Sequence, residues 1–406
     1  MGRTGLNNRP IYSTLMGTTE TKARRVAIAY HCFAHYRAAV LEELAFKGRH
    51  RYTFIASRKT LEASIKAWDP PPGIDFRHTY AKFTHGVVVQ PGIILAALSP
   101  RYDVLVMHGV VWWPFTWPAV ILARLTGKRV YYWGHGWTAP ERGLRGAIRA
   151  LYNRLPHGLM FYGHYAKIIE MMHGTPPERV HVIYNSLDYP AQKAARDAVT
   201  HDMLAQMRRE VMGTDVRPIA ACVSRLIHVR RLDLLIDAAA SLKAHGREID
   251  LLLVGDGPER AALEAHAKAR GVRAVFYGAC YDEAVIAKLV MMSNVMVAPG
   301  KVGLTAMTSL ACGIPVVTHD NEANQMPEWE AVIPGKTGSL FADGDAEDLA
   351  RAIGRWTATP WPDPSVRRDC IEIIERFWNP ANQRRCIERA IDGLGADDLF
   401  FMKERA

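Results

Sequence analysis

The sequence predicts two doubly wound α/β domains, each a parallel β-sheet with helices on both faces. Short apolar runs alternate with longer amphipathic segments along nearly the whole chain. Near-continuous apolar strands are typical of parallel sheets buried on both faces, and strand–helix alternation is the pattern of doubly wound folds. The alternation pauses over the polar residues 190–216 and then restarts, which divides the chain into two units of similar size.

Each unit has its own series of elements. In the first, we expect strands at 26–31, 52–56, 103–107, 129–133, 158–162 and 180–184, and helices at 37–46, 116–126, 142–154 and 164–173. In the second, we expect strands at 218–223, 249–254, 274–277, 294–297 and 314–318, and helices at 231–244, 258–270, 282–291, 303–312 and 345–355.

The domain boundaries follow from these series. The first domain is predicted over 1–194, with a mobile start over 1–22, and the second over 195–378. A last helix, 380–394, follows Asn379-Pro380, and we expect the segment 379–406 to cross back to the first domain. Two such sheets facing each other leave a cleft between the carboxyl ends of their strands, where ligands of these folds bind.

Composition excludes several classes of protein. The chain has 406 residues, of which 49% are hydrophobic and 23% charged, as in an ordinary globular protein rather than a disordered or disulfide-stapled one. The six cysteines form no CxxC pair, and the longest apolar stretch, 110–123, contains two prolines and is too short to span a bilayer. No signal peptide is visible in the first 25 residues. These features predict a cytoplasmic protein.

Charge is divided unequally between the two halves. Residues 1–200 hold 26 Lys and Arg against 12 Asp and Glu, whereas residues 201–406 hold 25 against 29. Helix 142–154 places Arg142, Arg145 and Arg149 among Leu144 and Leu151. A basic amphipathic helix suits an anionic membrane surface, and it is equally typical of a helix that packs on a sheet. We expect peripheral association with the inner face of the cell membrane.

Four segments that follow strands in the second unit carry the strongest signal for a ligand site. The first is a basic stretch, SRLIHVRR (224–231), and the second is a strand with a glycine turn, LLLVGDGPE (251–259). The third is a glycine loop that opens a helix, APGKVGL (298–304), and the fourth is a helix-to-strand joint, ACGIPVV (311–317). Arginine grips phosphate oxygens bidentately, and a glycine loop at a helix N-terminus lets backbone amides approach an anion. Alone, each segment is also compatible with an ordinary turn.

In order and spacing these segments resemble the nucleotide-binding half of the large retaining glycosyltransferase family 4, which has the GT-B fold of two Rossmann-like domains facing across a cleft. The resemblance covers about 217–355, including Pro327-Glu328 and the GKTG of 335–338, and is looser in the first half. It implies that Arg225 and Arg230 hold the diphosphate of a nucleotide-sugar donor. It also implies that the amides around Gly303 and Leu304 lie near the donor and that the base pocket lies around Gly278.

The sequence departs from the family at two carboxylates. The two glutamates of the family's E-x7-E motif fall on Gly300 and Thr308. The segments THDN (318–321) and QMPEWE (325–330) are similar to a divergent branch of the family. We therefore expect altered donor recognition, with Asn321, Gln325 and Glu328 supplying the missing polar contacts. The remaining donor-side candidates belong to the same loop, Lys301 and Val302.

Asp343 and Asp345 spell a DxD motif, which binds a metal in a different glycosyltransferase fold. Here the motif precedes an amphipathic helix, so that Asp345 is predicted to be the N-cap residue. The resemblance implies that helix dipole and cations replace a metal. We therefore expect neither a metal nor a cofactor.

The first unit offers candidates for the acceptor side. His135 lies in WGHGW (133–137), directly after a strand, where glycines turn the chain tightly and would point the imidazole into the cleft. In similar enzymes such a histidine contacts the donor sugar near the reacting carbon. Arg37 is a candidate for binding a phosphate and His35 for assisting the acceptor hydroxyl, with structural roles equally open. His108 is a weaker candidate.

These observations predict a metal-independent glycosyltransferase that moves a sugar from a nucleoside diphosphate to a lipid-linked or other saccharide acceptor. Retention of configuration and a role in polysaccharide or glycolipid biosynthesis are implied by the resemblance. The alternative is a catalytically degenerate nucleotide-sugar-binding scaffold of the same fold. Another GT-B activity, such as a sugar epimerase, is the nearest enzymatic rival. No nucleic-acid-binding module is recognised in the sequence, so a nucleic-acid partner is not expected.

Overall fold

The computed structural model describes residues 22–60, 65–213, 217–358 and 363–395. The segment 1–21 is outside these ranges, as is 396–406, so most of the segment predicted to be mobile and the last part of the predicted C-terminal segment lie outside the described residues.

The first domain is built on a seven-stranded parallel sheet with the strand order β3-β2-β1-β6-β7-β8-β9. Its strands are β1 (Arg25–Cys32), β2 (Arg51–Ser57), β3 (Phe76–His78), β6 (Val104–His108), β7 (Arg129–Gly134), β8 (Gly158–Phe161) and β9 (Val180–Val182), with an antiparallel hairpin of β4 (Lys82–Thr84) and β5 (Val87–Val89). Its helices are α1 (Ala38–Lys47), α2 (Gly92–Leu98), α3 (Thr116–Leu125), α4 (Gly143–Arg154) and α5 (His164–Met172).

The second domain has a six-stranded parallel sheet with the order β12-β11-β10-β13-β14-β15. Its strands are β10 (Ile219–Val223), β11 (Asp250–Val254), β12 (Ala274–Gly278), β13 (Val295–Ala298), β14 (Val316–His319) and β15 (Gly338–Phe341). Its helices are α8 (Leu232–Ala244), α9 (Arg260–Ala269), α10 (Glu283–Met291), α11 (Leu304–Ala311), α12 (Ala346–Thr357) and α13 (Pro364–Arg376).

The eleven strands and nine helices predicted within the two units all form, with ends shifted by a few residues. Some elements were missed: the edge strand β3, the hairpin β4–β5, the helix α2, the edge strand β15 and the helix α13. Edge strands need few apolar residues because one side is not covered by a neighbouring strand, and their sequences therefore give a weak signal.

Three helices connect the domains. These are α6 (Tyr189–Asp197), α7 (His201–Met212) and the C-terminal α14 (Pro380–Asp392). Both α6 and α7 pack on α10 of the second domain. The predicted boundary between 194 and 195 therefore falls inside a helix. The crossing lies before Tyr189, because the buried side chains of α6, Tyr189, Gln192 and Arg196, bond to residues of the second domain.

Helix α14 crosses back to the first domain, where it packs against α1, β8 and β9. Its Arg384 lies 3.4 Å from Glu43 of α1, and the backbone N–H of Arg49 donates to Glu388 at 2.5 Å. The predicted return of the C-terminal helix to the first domain is therefore seen in the structure for residues 380–392.

Candidate functional site

The loop between β13 and α11, residues 299–303, lies at the carboxyl end of the second sheet. Hydrogen bonds of the Gln325 side chain fix this loop. The Gln325 side-chain oxygen accepts from the Val302 N–H at 2.9 Å, while its amide group donates to the Thr318 hydroxyl and the His319 carbonyl, both at 2.9 Å. Gln325 is buried and its hydrogen-bonding groups are occupied by the protein. It therefore shapes the loop, and the prediction that it contacts the donor directly is not supported by this geometry.

Three backbone amides of this loop are left for a ligand. The N–H groups of Lys301, Gly303 and Leu304 donate to no acceptor among the described residues, whereas those of Gly300 and Val302 do. Gly303 is the N-cap residue of α11. Unsatisfied amides at a helix N-terminus, together with the helix dipole, form an anion-binding site.

Position 300 has no room for a side chain. A Cβ built on Gly300 would lie 2.2 Å from the carbonyl oxygen of Val229 and 2.9 Å from the backbone of Arg230. The Gly300 N–H also donates to the Arg230 carbonyl at 3.0 Å. The basic segment and the glycine loop are thus in direct backbone contact, which explains why a glycine stands at this position.

Of the two predicted diphosphate-binding arginines, Arg230 lies beside this loop. Arg230 donates to the Lys301 carbonyl at 2.5 Å, and its buried Nε has no partner among the described residues. A small cavity of about 10 Å³ is lined by residues of β10, the basic segment and the loop, among them Ser224, Arg230, Gly300 and Gly303. The Arg225 side chain is exposed. The basic segment 224–231 therefore contacts the glycine loop 298–304 at the carboxyl ends of β10 and β13.

The glycine turn 255–258 supports the basic segment. The Leu226 N–H donates to the Asp256 carbonyl at 3.0 Å, and the Glu259 N–H donates to the Leu226 carbonyl at 3.1 Å. A Cβ on Gly255, whose φ is +144°, would lie 1.9 Å from the Ser224 carbonyl. Gly278 adjoins the same turn, since its carbonyl accepts from the Gly255 N–H at 2.8 Å.

Several predicted donor-side residues are engaged elsewhere. Thr308 on α11 is paired with Gln192 of α6 at 3.2 Å, and Asn321 is exposed and donates to Asp343 at 2.8 Å. Asp345 accepts from the N–H groups of Glu347 and Asp348 at 2.9 and 3.0 Å. The predicted N-cap role of Asp345 is therefore confirmed.

Two buried glutamates mark the border between the domains. Glu330 accepts from the N–H groups of His164 and Tyr165 at 2.8 and 2.7 Å, so it caps the N-terminus of α5 in the first domain. One oxygen of Glu328 accepts from Asn185 at 2.6 Å, while the other is buried and has no partner in the part of the chain that the structure describes. Burial raises the pKa of Glu328, and hydrogen bonding by Asn185 and the charge of Arg37 oppose this shift. Sequence reasoning missed Glu330.

On the first domain, a cavity of about 220 Å³ lies at the carboxyl ends of β1, β6 and β7. It is lined by aromatic and basic side chains; these include Tyr30, His31, Tyr36, Arg37, His108 and His135. The predicted residues Arg37 and His135 are thus brought together. His35 is exposed and lies 3.3 Å from the Lys66 carbonyl, outside the residues that line this cavity, so its predicted role at the acceptor is not supported here.

The loop that carries His135 is anchored by the residue two positions further along the chain, Trp137. Gly136 has a φ of +70°, and the buried Trp137 donates through its indole N–H to Glu170 and stacks on His173 with the rings 4.0 Å apart. Burial, followed by the charge of Arg37, lowers the pKa of His135 to about 4. Its imidazole is therefore neutral at neutral pH and available as both donor and acceptor.

Sequence comparisons agree with this geometry in the second domain. Residues 207–376 match the family model for "Glycosyl transferases group 1". The chain is 30% identical over 202 residues to an alpha-D-kanosaminyltransferase of Streptomyces kanamyceticus. The aligned region covers 48% of this chain and 49% of that protein. It is also 30% identical over 201 residues to a GDP-mannose-dependent alpha-(1-6)-phosphatidylinositol monomannoside mannosyltransferase of Mycolicibacterium smegmatis, covering 47% of this chain and 50% of that one. The chain therefore spans about half the length of these relatives.

Comparison of whole structures extends to both domains. Anabaena Alr3699/HepE, solved in complex with UDP, superposes with a TM-score of 0.68 at 17% identity, over 91% of this chain and 100% of that one. Together with the two parallel sheets, this establishes the predicted GT-B fold. Residues 207–376 of the second domain are thus similar in sequence to the group 1 glycosyl transferases, and the described chain has the GT-B fold.

Proposed function

We propose that this chain is a glycosyltransferase that transfers a sugar from a nucleoside-diphosphate sugar to a hydroxyl of a saccharide or lipid-linked acceptor. The observation that carries the proposal is the anion-binding arrangement at the start of α11. Three backbone amides without a protein acceptor in the described ranges meet Arg230 there, in the domain that matches the group 1 family. The solved structure with UDP and the glycosyltransferases named above support the same class of donor.

In the proposed reaction, the bond between the anomeric carbon and the β-phosphate oxygen breaks while the acceptor oxygen bonds to that carbon. Negative charge develops on the leaving diphosphate. The loop amides, Arg225 and Arg230 stabilise that charge because they are already oriented before the reaction. The acceptor proton passes to the departing phosphate oxygen, which balances the step without a metal or a cofactor. Attack on the same face of the sugar gives the retention that the family resemblance implies.

On the sugar side, His135 of the first domain and the unpartnered oxygen of Glu328 are the groups we assign to the donor sugar. The imidazole is neutral, and the second oxygen of Glu328 has no protein partner within the described ranges. A buried oxygen without a partner costs stability unless a ligand satisfies it. This assignment leaves Gln325 to shape the loop and Asn321 to contact Asp343.

We further propose that the first domain docks on an anionic membrane surface through α3 and α4. Leu125 and Leu144 each expose 78% of their surface, and Arg145 lies over the ring of the exposed Trp112 at 5.1 Å. Exposed apolar side chains among arginines fit the boundary of an anionic bilayer. Within the described segments, no helix combines the length and apolarity needed to cross a membrane. The location would be the inner face of the cell membrane, where polysaccharide and glycolipid precursors are assembled.

A second candidate is a nucleotide-sugar-binding scaffold without transferase activity. It is favoured by the absence of a carboxylate at positions 300 and 308, where Gly300 has no side chain and Thr308 is engaged with Gln192. Both candidates predict donor binding, so transfer or hydrolysis of the donor separates them.

The test is thermal stabilisation by UDP, GDP, dTDP, ADP and CMP, repeated with Arg225→Ala and with an Arg58→Ala control on the first domain. Binding to the folded state raises the melting temperature by mass action. We expect one nucleoside diphosphate to stabilise the wild type and the control, and Arg225→Ala to lose most of that shift. No shift with any nucleotide would contradict the proposal. A shift without donor hydrolysis or transfer to any saccharide acceptor would favour the scaffold.

A further inference from the structure

The cavity of the first domain contains an arginine surrounded by aromatic rings. The Arg37 guanidinium carbon lies 5.2 Å from the ring centre of Tyr30, 5.4 Å from that of Tyr162 and 5.8 Å from that of Trp133. Within the described ranges, Arg37 forms no salt bridge. Glu328 is affected by its charge but bonds to Asn185 instead.

Such an arrangement is costly unless something else compensates the charge. Aromatic faces attract a guanidinium electrostatically. They offer no charged acceptors for its N–H groups, however, and a buried charge without a counter-ion is strongly unfavourable. The Tyr30 hydroxyl beside Arg37 is neutral, so an oxyanion from outside the protein is the group that would compensate the charge of Arg37.

The remaining polar groups of the cavity suit the same ligand. Nδ1 of His31 and Nδ1 of His108 are buried and have no hydrogen-bond partner among the residues described. Burial lowers the pKa of both imidazoles, and the positive charge of Arg37 nearby lowers it further. The histidines are therefore neutral at neutral pH, and Arg37 supplies the charge of the cavity.

We propose that this cavity binds an oxyanion carried by the acceptor, a phosphate or a carboxylate, with Arg37 as its counter-ion. The proposal rests on the transferase function above and names the acceptor class. It assigns the oxyanion to the acceptor because Arg37 follows β1 of the first sheet, whereas the amides and Arg230 that would hold the donor diphosphate follow β10 and β13 of the second.

The experiment follows the histidine imidazole signals by ¹H–¹⁵N NMR while the full chain is titrated with inorganic phosphate, with methyl glucuronide and with neutral methyl glucoside. The signals are assigned with His31→Gln, His108→Gln and His135→Gln. We expect an oxyanion, and not the glucoside, to shift these signals and to raise the pKa of the imidazoles. A response to phosphate alone indicates a phosphate-bearing acceptor, and one to glucuronide alone a uronic acid.

Two variants test the role of Arg37. We expect Arg37→Gln to weaken oxyanion binding at least tenfold and Arg37→Lys to weaken it less. Arg129→Gln is the matched control, because Arg129 is also half-buried over a tyrosine ring, at 5.7 Å from Tyr131, at the opposite end of β7. It should bind as the wild type does. If Arg37→Gln does not fold, the titrations of Arg37→Lys and of the wild type still show whether Arg37 binds the oxyanion.

Three results would overturn the inference. The wild type gives no shift with either oxyanion, or Arg37→Gln binds the oxyanion as tightly as the wild type, or Arg37→Gln loses its stabilisation by the nucleoside diphosphate that stabilises the wild type. The last result would place Arg37 in the donor site. Failure of every nucleotide in the panel to stabilise the wild type would instead contradict the proposed function, so the two failures are distinguishable.

Discussion

The two candidate sites, one on each domain, present their polar groups by different means. On the second domain, backbone amides form the site, and Gln325 and Thr318 fix the loop that presents them. On the first domain, side chains form the site, with three neutral imidazoles and Arg37 set among aromatic rings. A backbone site suits a group common to all donors, such as a diphosphate. A side-chain site suits recognition of one particular acceptor, because side chains change without disturbing the sheet.

The largest expected effect comes from adding a side chain at Gly300, where the donor loop is in backbone contact with the basic segment. In Gly300→Ala the new methyl group would meet the Val229 carbonyl, 2.2 Å away, so the loop or the basic segment must move. Overpacking against backbone costs about 1–3 kcal/mol. We expect a lower melting temperature without ligand and loss of stabilisation by the nucleotide.

Gly303→Ala is the matched control for that substitution. A methyl group on Gly303 would have Met326 Cγ, at 4.0 Å, as its nearest heavy atom, and the φ of Gly303 is −130°, which any residue adopts. The melting temperature of this variant without ligand should stay close to that of the wild type. If both variants melt alike, the loop is not held by its contact with the basic segment.

The next effect concerns the two glutamates at the domain border. Glu330→Ala removes the acceptor of two buried N–H groups at the start of α5, and leaving buried donors unpaired costs about 1–3 kcal/mol. Glu328→Gln keeps an oxygen for Asn185 and removes a buried carboxylate whose other oxygen has no partner in the described segments.

Urea unfolding of both variants measures the contrast. We expect Glu330→Ala to lower the free energy of unfolding by about 2 kcal/mol, while Glu328→Gln changes it little and instead lowers the rate of sugar transfer. Equal loss of stability in the two variants would show that Glu328 is a structural residue like Glu330.

The difference between the two sides also explains what the sequence could predict. The donor loop was found because Gly300, Gly303 and Arg230 have fixed spacings within one stretch of chain. Gln325 was found too, but a sequence does not show that its side-chain amide already bonds to Val302 and Thr318.

On the first domain, the residues of the cavity come from the ends of three strands, β1, β6 and β7, which are far apart in the chain. His108 gave only a weak signal and His31 was missed, because their approach to Arg37 depends on strand order. Glu330 was missed for the same reason, as its partners His164 and Tyr165 lie on the other domain. Contacts between distant segments leave no local pattern in the sequence.

The side-chain site should respond to acid, whereas the backbone site should not. Burial lowers the pKa of His31 and His135 to about 4 from an unfolded value near 6.5. The unfolded chain therefore binds more protons than the folded chain between these values. Stability is greatest above pH 6.5 and falls as the pH decreases from 6.5 towards 4.

Melting temperatures between pH 4 and 8 check this prediction. His135→Gln removes one titrating group, so its melting temperature should fall less steeply over that window than the wild type's. His50, whose pKa is also lowered to about 4 but which lies beside Asp392 away from the cavity, supplies a control. His50→Gln should flatten the profile similarly, but only the cavity histidines should respond to phosphate. An unchanged slope in His135→Gln would mean that its imidazole titrates normally.

The smallest expected effect is on the outer surface of the first domain, which neither site touches. Arg145 and Leu144 are on α4, and a basic residue near an anionic bilayer contributes about 1 kcal/mol to binding. Arg145→Gln should therefore weaken binding to vesicles of phosphatidylglycerol and phosphatidylcholine by roughly fivefold, and Leu144→Ser should weaken it further, with no change in melting temperature.

Arg351→Gln on α12 of the second domain, which removes an exposed arginine, is the control. Sedimentation at low and high salt separates the contributions, because charge attraction is screened and apolar insertion is not. If Arg145→Gln and Arg351→Gln sediment alike, this surface does not face the membrane.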